Sequence, residues 1–94
     1  MTGKLALSKA GHDKNTLYLI MKEEQETVYL TDGCGRDIRH PKKKNKKHIQ
    51  LINAGISREE LEKYLATPAW GNNQIRERIN RYTSREDSPD KSLG

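Results

Sequence analysis

Apolar and polar residues alternate in short runs over the first half of the chain, then recur at helical spacing. Leu5 and Leu7 alternate with Lys4, Ala6 and Ser8, the pattern of a half-buried strand. Residues 9–16 (KAGHDKNT) hold Gly11, Asp13 and Asn15, which is turn chemistry. Residues 17–21 (LYLIM) predict a second strand and residues 27–31 (TVYLT) a third, with Val28 and Leu30 on one face. The polar segment KEEQE between them has a common hairpin length. Asp32-Gly33 is a turn signal. A fourth strand is expected over residues 36–39 through Ile38, then a basic loop, then a fifth strand over residues 48–52. Five short strands joined by turns predict a small antiparallel β-barrel, because closing the sheet removes exposed edges.

The period changes after Gly55. Ser57 stands three residues before Glu60, a capping-box spacing that predicts a helix start. Ile56, Leu61, Tyr64 and Leu65 fall on one face of that helix, and Thr67-Pro68 ends it. Gly71 marks a connection. Asn72 is the expected cap of a second short helix through Tyr82, with Ile75, Ile79 and Tyr82 recurring at spacings of four and three. Trp70 is expected to pack this segment on the barrel. Residues from Thr83 onward have almost no apolar content and are expected to be disordered. The division is therefore a barrel over residues 1–52, a helical extension over 53–82 and a disordered tail over 83–94.

Charge sharpens this picture. The 94 residues carry 18 Lys/Arg and 13 Asp/Glu, a formal net charge of +5. Residues 1–56 hold eleven cations and six acids, and residues 57–94 hold seven of each. The whole excess lies in the first half. Such an excess argues for an anionic polymer or surface as partner. With 32% hydrophobic residues and no Phe, the core must be small. The single Cys34 has no partner for an internal disulfide and points to a reducing compartment. The N-terminus lacks an apolar stretch of signal-peptide length, and no segment approaches membrane-spanning length. A cytoplasmic monomer is the expectation.

The segment RDIRHPKKKNKKH, residues 36–48, holds seven cations and one acid. Pro41 and Asn45 argue against a helix interior there. A basic loop running into a buried strand would hold positive charge rigidly against a phosphate backbone. The plain alternative is a solvated charge run.

Residues 3 to about 52 resemble the KOW family of RNA-binding proteins. They look closest to the branch holding archaeal and eukaryotic large-subunit ribosomal proteins fourteen-e, six-e and twenty-seven-e, with their small bacterial relatives. The matching pieces, in order, are the first strand into SKAGHDK, the strand LYLIM, the DG turn after VYLT, and PKKKNKKH. Family members commonly have Gly where this chain has Asn15, a residue that tolerates a left-handed backbone. The resemblance implies a small SH3-like barrel and RNA binding, usually on the ribosome. It makes ribosomal RNA the expected target and ribosomal proteins possible neighbours. A protein-interaction module docking on the transcription or translation machinery is the alternative. Nonspecific DNA binding is a third reading.

The candidate RNA-binding residues are Lys9, His12 and Lys14 around the Gly11 turn, and Arg36, Arg39, Lys42, Lys43, Lys44, Lys46, Lys47 and His48 in the basic run. Lysines bind phosphate as point charges, whereas Arg36 and Arg39 could also stack or grip bidentately. His40 and His48 each carry two readings: donors to RNA, or a turn role for His40 and packing for His48. Asp13 is expected to hold loop N–H groups or a neighbouring cation. Tyr18 and Tyr29 face outward on adjacent strands or form a cross-strand pair, so base stacking is open. His12, Cys34, His40 and His48 match no common zinc spacing. No orienting acid or oxyanion element accompanies Cys34. No phosphate-cradling or dinucleotide motif is present. No enzyme activity, cofactor or metal is expected.

Overall fold

Alternation along the strands sorts their side chains onto two faces, and each face builds its own core. The computed structural model describes the backbone of residues 1–93 and the side chains of residues 1–83. The strands are β1 (Lys4–Ser8), β2 (Leu17–Glu23), β3 (Thr27–Thr31), β4 (Lys42–Asn45) and β5 (Ile49–Gly55), followed by helices α1 (Arg58–Ala66) and α2 (Pro68–Leu93). They form one antiparallel sheet in the order β4-β3-β2-β1-β5. Pairing Leu5 with both Leu19 and Ile52 puts these residues on the face covered by the helices. Leu61, Tyr64, Ile75 and Ile79 close that core together with Ile38. Ala6, Tyr18, Ile20, Val28, Leu30 and Ile49 form a second core on the opposite, concave face. The chain is thus mainly β with helices at its C-terminal end.

The concave core requires a curled sheet. A flat five-stranded sheet would hold its two edge strands about 19 Å apart. Yet β4 is joined to β5 by the 3₁₀ turn Lys46–His48 alone, and a turn of that length rises about 6 Å. The edges must therefore come round to meet. Register slips between Ile20 and Lys22 in β2, and again between Lys4 and Leu5 in β1. Such bulges bend strands and increase their twist. No ladder joins β4 to β5 among the described residues. The sheet is curled and open-ended, not the closed barrel that the strand pattern predicts.

Two strand assignments are corrected. Residues 36–39 form a turn, with the His40 N–H donating to the Asp37 carbonyl at 2.9 Å. The expected basic loop is itself β4, so Lys42, Lys43 and Lys44 lie in a strand paired with Leu30, Tyr29 and Val28. Pro41 stands just outside, which is why a proline in the run does not prevent pairing. The last strand also continues to Gly55, where Ile52, Ala54 and Ile56 pack on the helical core.

The helices follow their caps in part. Ser57 Oγ accepts from the Glu60 N–H at 3.1 Å, as the spacing predicts. Glu60 does not complete the box; its carboxylate instead accepts from Tyr64 Oη and from Arg78 at 3.0 Å. The second helix begins at Pro68, earlier than the expected cap at Asn72, because proline is suited to a first helical position where its missing N–H costs nothing. Leu65 and Trp70 are 37% and 45% exposed, so neither covers the sheet. Trp70 instead meets Tyr64 edge-on, with centroids 5.3 Å apart. The second helix also runs on to Leu93, past the expected end at Tyr82 and across most of the segment from Thr83 that is expected to be disordered; residues 84–93 are described in backbone only.

Gly71, read from the sequence as a connection, sits inside α2 where that helix crosses α1. A Cβ there would lie 2.8 Å from the Tyr64 carbonyl carbon and closer still to its oxygen. Glycine to alanine inside a helix ordinarily stabilises by about 1 kcal/mol. Here the opposing atom is backbone, so the sign should reverse. Gly71→Ala is expected to lower stability by about 2 kcal/mol or more in urea titrations. A gain in stability would mean that α1 and α2 do not approach so closely.

Candidate nucleic-acid interface

The β1–β2 turn is shaped by two left-handed residues. Gly11 has φ +87° and Asn15 has φ +74°. Asparagine therefore fills a position that few other side chains tolerate. The Lys14 N–H donates to the Gly11 carbonyl and the Asn15 N–H to the Ser8 carbonyl, at 3.2 and 2.8 Å. This turn aims Asp13 across the mouth of the concave face.

Lys42 and Lys44 share the inward face of β4 because they pair with Leu30 and Val28, both fully buried. Lysines there cannot remain unpaired. Both reach Asp13: Lys44 Nζ lies 2.8 Å from Oδ1 and Lys42 Nζ lies 3.0 Å from Oδ2. Lys44 also donates to the Ala10 carbonyl at 3.1 Å. Ser8 Oγ donates to Oδ1 at 2.9 Å and Tyr18 Oη to Oδ2 at 2.7 Å. The Asp13 carboxylate thus receives four donors. Burial alone pushes its pKa up, but Lys44, Tyr18, Lys42 and Ser8 outweigh it and hold the group far below the usual carboxylate range. Burial, and then the bond to Asp13, raise Tyr18 above the ordinary phenol value.

The expectation for Asp13 is met in its second form: it holds cations, joined by two hydroxyls. The outward stacking reading fails for Tyr18, which is 3% exposed. Tyr29 is half-buried. Its Oη donates to Glu24 at 3.0 Å, and Lys22 Nζ stands 5.4 Å from its ring centroid.

The candidate residues therefore separate into groups. Lys42 and Lys44 are bound to Asp13. Lys46 pairs with Glu23 at 2.7 Å, a carboxylate that also meets the N-terminal ammonium at 2.9 Å. Lys46 and then the N-terminus hold Glu23 below its ordinary pKa. Lys43 and Lys47 are exposed and make no ion pair among the described residues. Lys9, His12 and Lys14 are exposed on the turn, and His48 is half-buried. The Lys9 N–H donates to the His48 carbonyl at 2.8 Å, so the turn lies directly beside the 3₁₀ segment. Arg36 and Arg39 belong to a different surface, the β3–β4 loop.

Asn72 fastens that loop to α2. Its Oδ1 accepts from the Ile38 N–H at 2.9 Å and its Nδ2 donates to Asp37 at 2.8 Å. Gly33, at φ +74°, lets the loop pass close to Asn72 and Arg76. Asp37 grips Arg39 through Nε at 3.0 Å and a terminal nitrogen at 2.9 Å. The Arg39 side chain and its backbone N–H, with Asn72, hold Asp37 well below the carboxylate range. The sequence marked Asn72 only as a cap, and no local signal distinguishes a cap from a bracket between elements.

Among the described residues, no group of three His, Cys, Asp or Glu is placed to hold a metal ion. No described helix is long and apolar enough to cross a membrane. No protein-family model matches the chain, and no curated protein matches it significantly.

Asp13 should govern both stability and its acid dependence. Asp13→Asn leaves two inward lysines without their counter-charge and should cost about 3 kcal/mol at neutral pH. Because its folded pKa is depressed, Asp13 contributes in full above the unfolded value of about 3.9, and that contribution shrinks as pH falls further. The stability gap between wild type and variant should therefore be constant above about pH 5 and narrow below pH 4. Denaturant titrations at several pH values read this directly. A pH-independent gap would show that the carboxylate charge is not what holds the turn to β4.

Proposed function

We propose that this chain is a non-catalytic RNA-binding protein of the KOW type, with ribosomal RNA its foremost target. One observation carries the reading: a left-handed turn bearing Lys9, His12 and Lys14 is held beside the strand and 3₁₀ segment bearing Lys43, Lys47 and His48. These segments are two of the four pieces of chain on which the resemblance to the KOW family rests. An antiparallel order with the last strand returning to the first supports an SH3-like form of the sheet. The positive excess of residues 1–56 supports a phosphate backbone as ligand.

The proposed mechanism is binding alone. Lys42 and Lys44 set the shape, through Asp13, and the outward cations contact phosphate. Lys9, Lys14, Lys43 and Lys47 then neutralise about four phosphates, for a log–log salt slope near −3. The alternative, a protein-docking module, predicts no such slope.

Lys43→Glu with Lys47→Glu should weaken binding to a folded ribosomal RNA fragment across sequences and flatten the slope by about 2. Lys63→Glu, on exposed α1, should change little. Titration at several salt concentrations decides this. Equal losses in the two variants, or an unchanged slope in the first, would remove the electrostatic surface from the account.

A further inference from the structure

We infer that this surface recognises the phosphate backbone of helical RNA rather than unpaired bases. The inference rests on the RNA reading above and narrows its ligand. Sequence-specific RNA recognition relies on splayed bases stacked on aromatic rings or guanidinium planes. The chain has four tyrosines and one tryptophan, no phenylalanine, and every ring has a place in the structure.

Only Tyr29 stands on the basic rim, across the ladder from Lys43, and its ring is engaged there rather than open. Tyr18 is buried beneath it with its hydroxyl bound to Asp13. Tyr29 shares the outward face with Lys43 but is half-buried, with its hydroxyl bound to Glu24 and Lys22 5.4 Å from its ring centroid. Tyr64 is 3% exposed and Tyr82 packs on the helix–sheet core. Trp70, the most open ring, is on the helices beside Tyr64.

The guanidinium planes tell the same story. Arg39 is engaged by Asp37 through two nitrogens, which occupies the fork that would grip or stack on a base. Arg36 is exposed but belongs to the loop bracketed to α2. The rim itself offers lysines, which act as point charges and read no base. Its two charged segments are fixed relative to one another by Asp13, Ser8 and Tyr18. A fixed pair of charged segments suits a ligand of fixed backbone shape. A single strand would have to lose its own flexibility to meet it, with no stacking to offset that ordering.

The test uses the full chain and fluorescence anisotropy. The probes are two RNA duplexes of about 20 base pairs with unrelated sequences, an unstructured U-rich RNA strand of equal length, and a DNA duplex. Both RNA duplexes should bind within about threefold of one another and about tenfold tighter than the single strand. Tyr29→Leu should leave all affinities unchanged. Single-strand binding equal to or tighter than duplex binding overturns the inference while leaving the RNA reading in place. So does a selective loss of single-strand affinity in Tyr29→Leu, which would make that ring a stacking platform. DNA duplex bound as tightly as RNA duplex supports backbone recognition and overturns the assignment to RNA. No binding to any probe overturns both.

Discussion

The carboxylate of Asp13 is the interaction on which the rest of the structure depends. Among the described residues the sheet has two edge strands and no ladder between them, so its curl needs another constraint. Asp13 supplies it by holding Lys42 and Lys44 of one edge against the turn that leaves β1. Without that charge the two lysines would face an apolar concave core, where an unpaired ammonium is costly. With it, Ser8, Tyr18 and the Ala10 carbonyl join one network that lies over the concave core like a lid. Shape and electrostatics are therefore coupled at a single residue.

This coupling divides a run of cations that looks uniform. In a strand, neighbours point to opposite faces, so Lys42 and Lys44 turn inward while Lys43 turns outward. The inward pair serves the fold. The outward residue, with Lys47 beyond the strand and Lys9 and Lys14 across from it, stays exposed, and these are the cations that the proposed RNA contact would use. A count of positive charges in the run overstates the number available to phosphate, because Lys46 is also engaged, by Glu23.

The other face of the sheet is fastened by different means. Apolar burial brings α1 and α2 onto Leu5 and Leu19, and Asn72 adds a polar bracket from α2 to the β3–β4 loop. Gly33 and Gly71 permit two close backbone approaches in this layer. Sheet and helices consequently share one core. Trp70 remains apart from it, resting on Tyr64 where α1 meets α2.

The sequence by itself determined that β1, β2 and β3 are strands, the inward face of Val28 and Leu30, the turn at residues 9–16, the Ser57 cap and the shift from strands to helices. Each follows from local alternation or from a residue acting within three or four positions of itself. Asn15 at a left-handed position was legible for the same reason. Only the tertiary structure decided what the lysine run would become. Polar side chains carry no apolar period, so nothing local marked residues 42–45 as a strand; pairing with Val28 and Leu30 did. The same holds for Tyr18, whose polar tip is buried because Asp13 arrives from another element. It holds also for Asn72 and Gly71, whose roles depend on chain segments 34 and seven residues away. Periodicity reports the face a residue prefers, and only packing reports which partner will be waiting there.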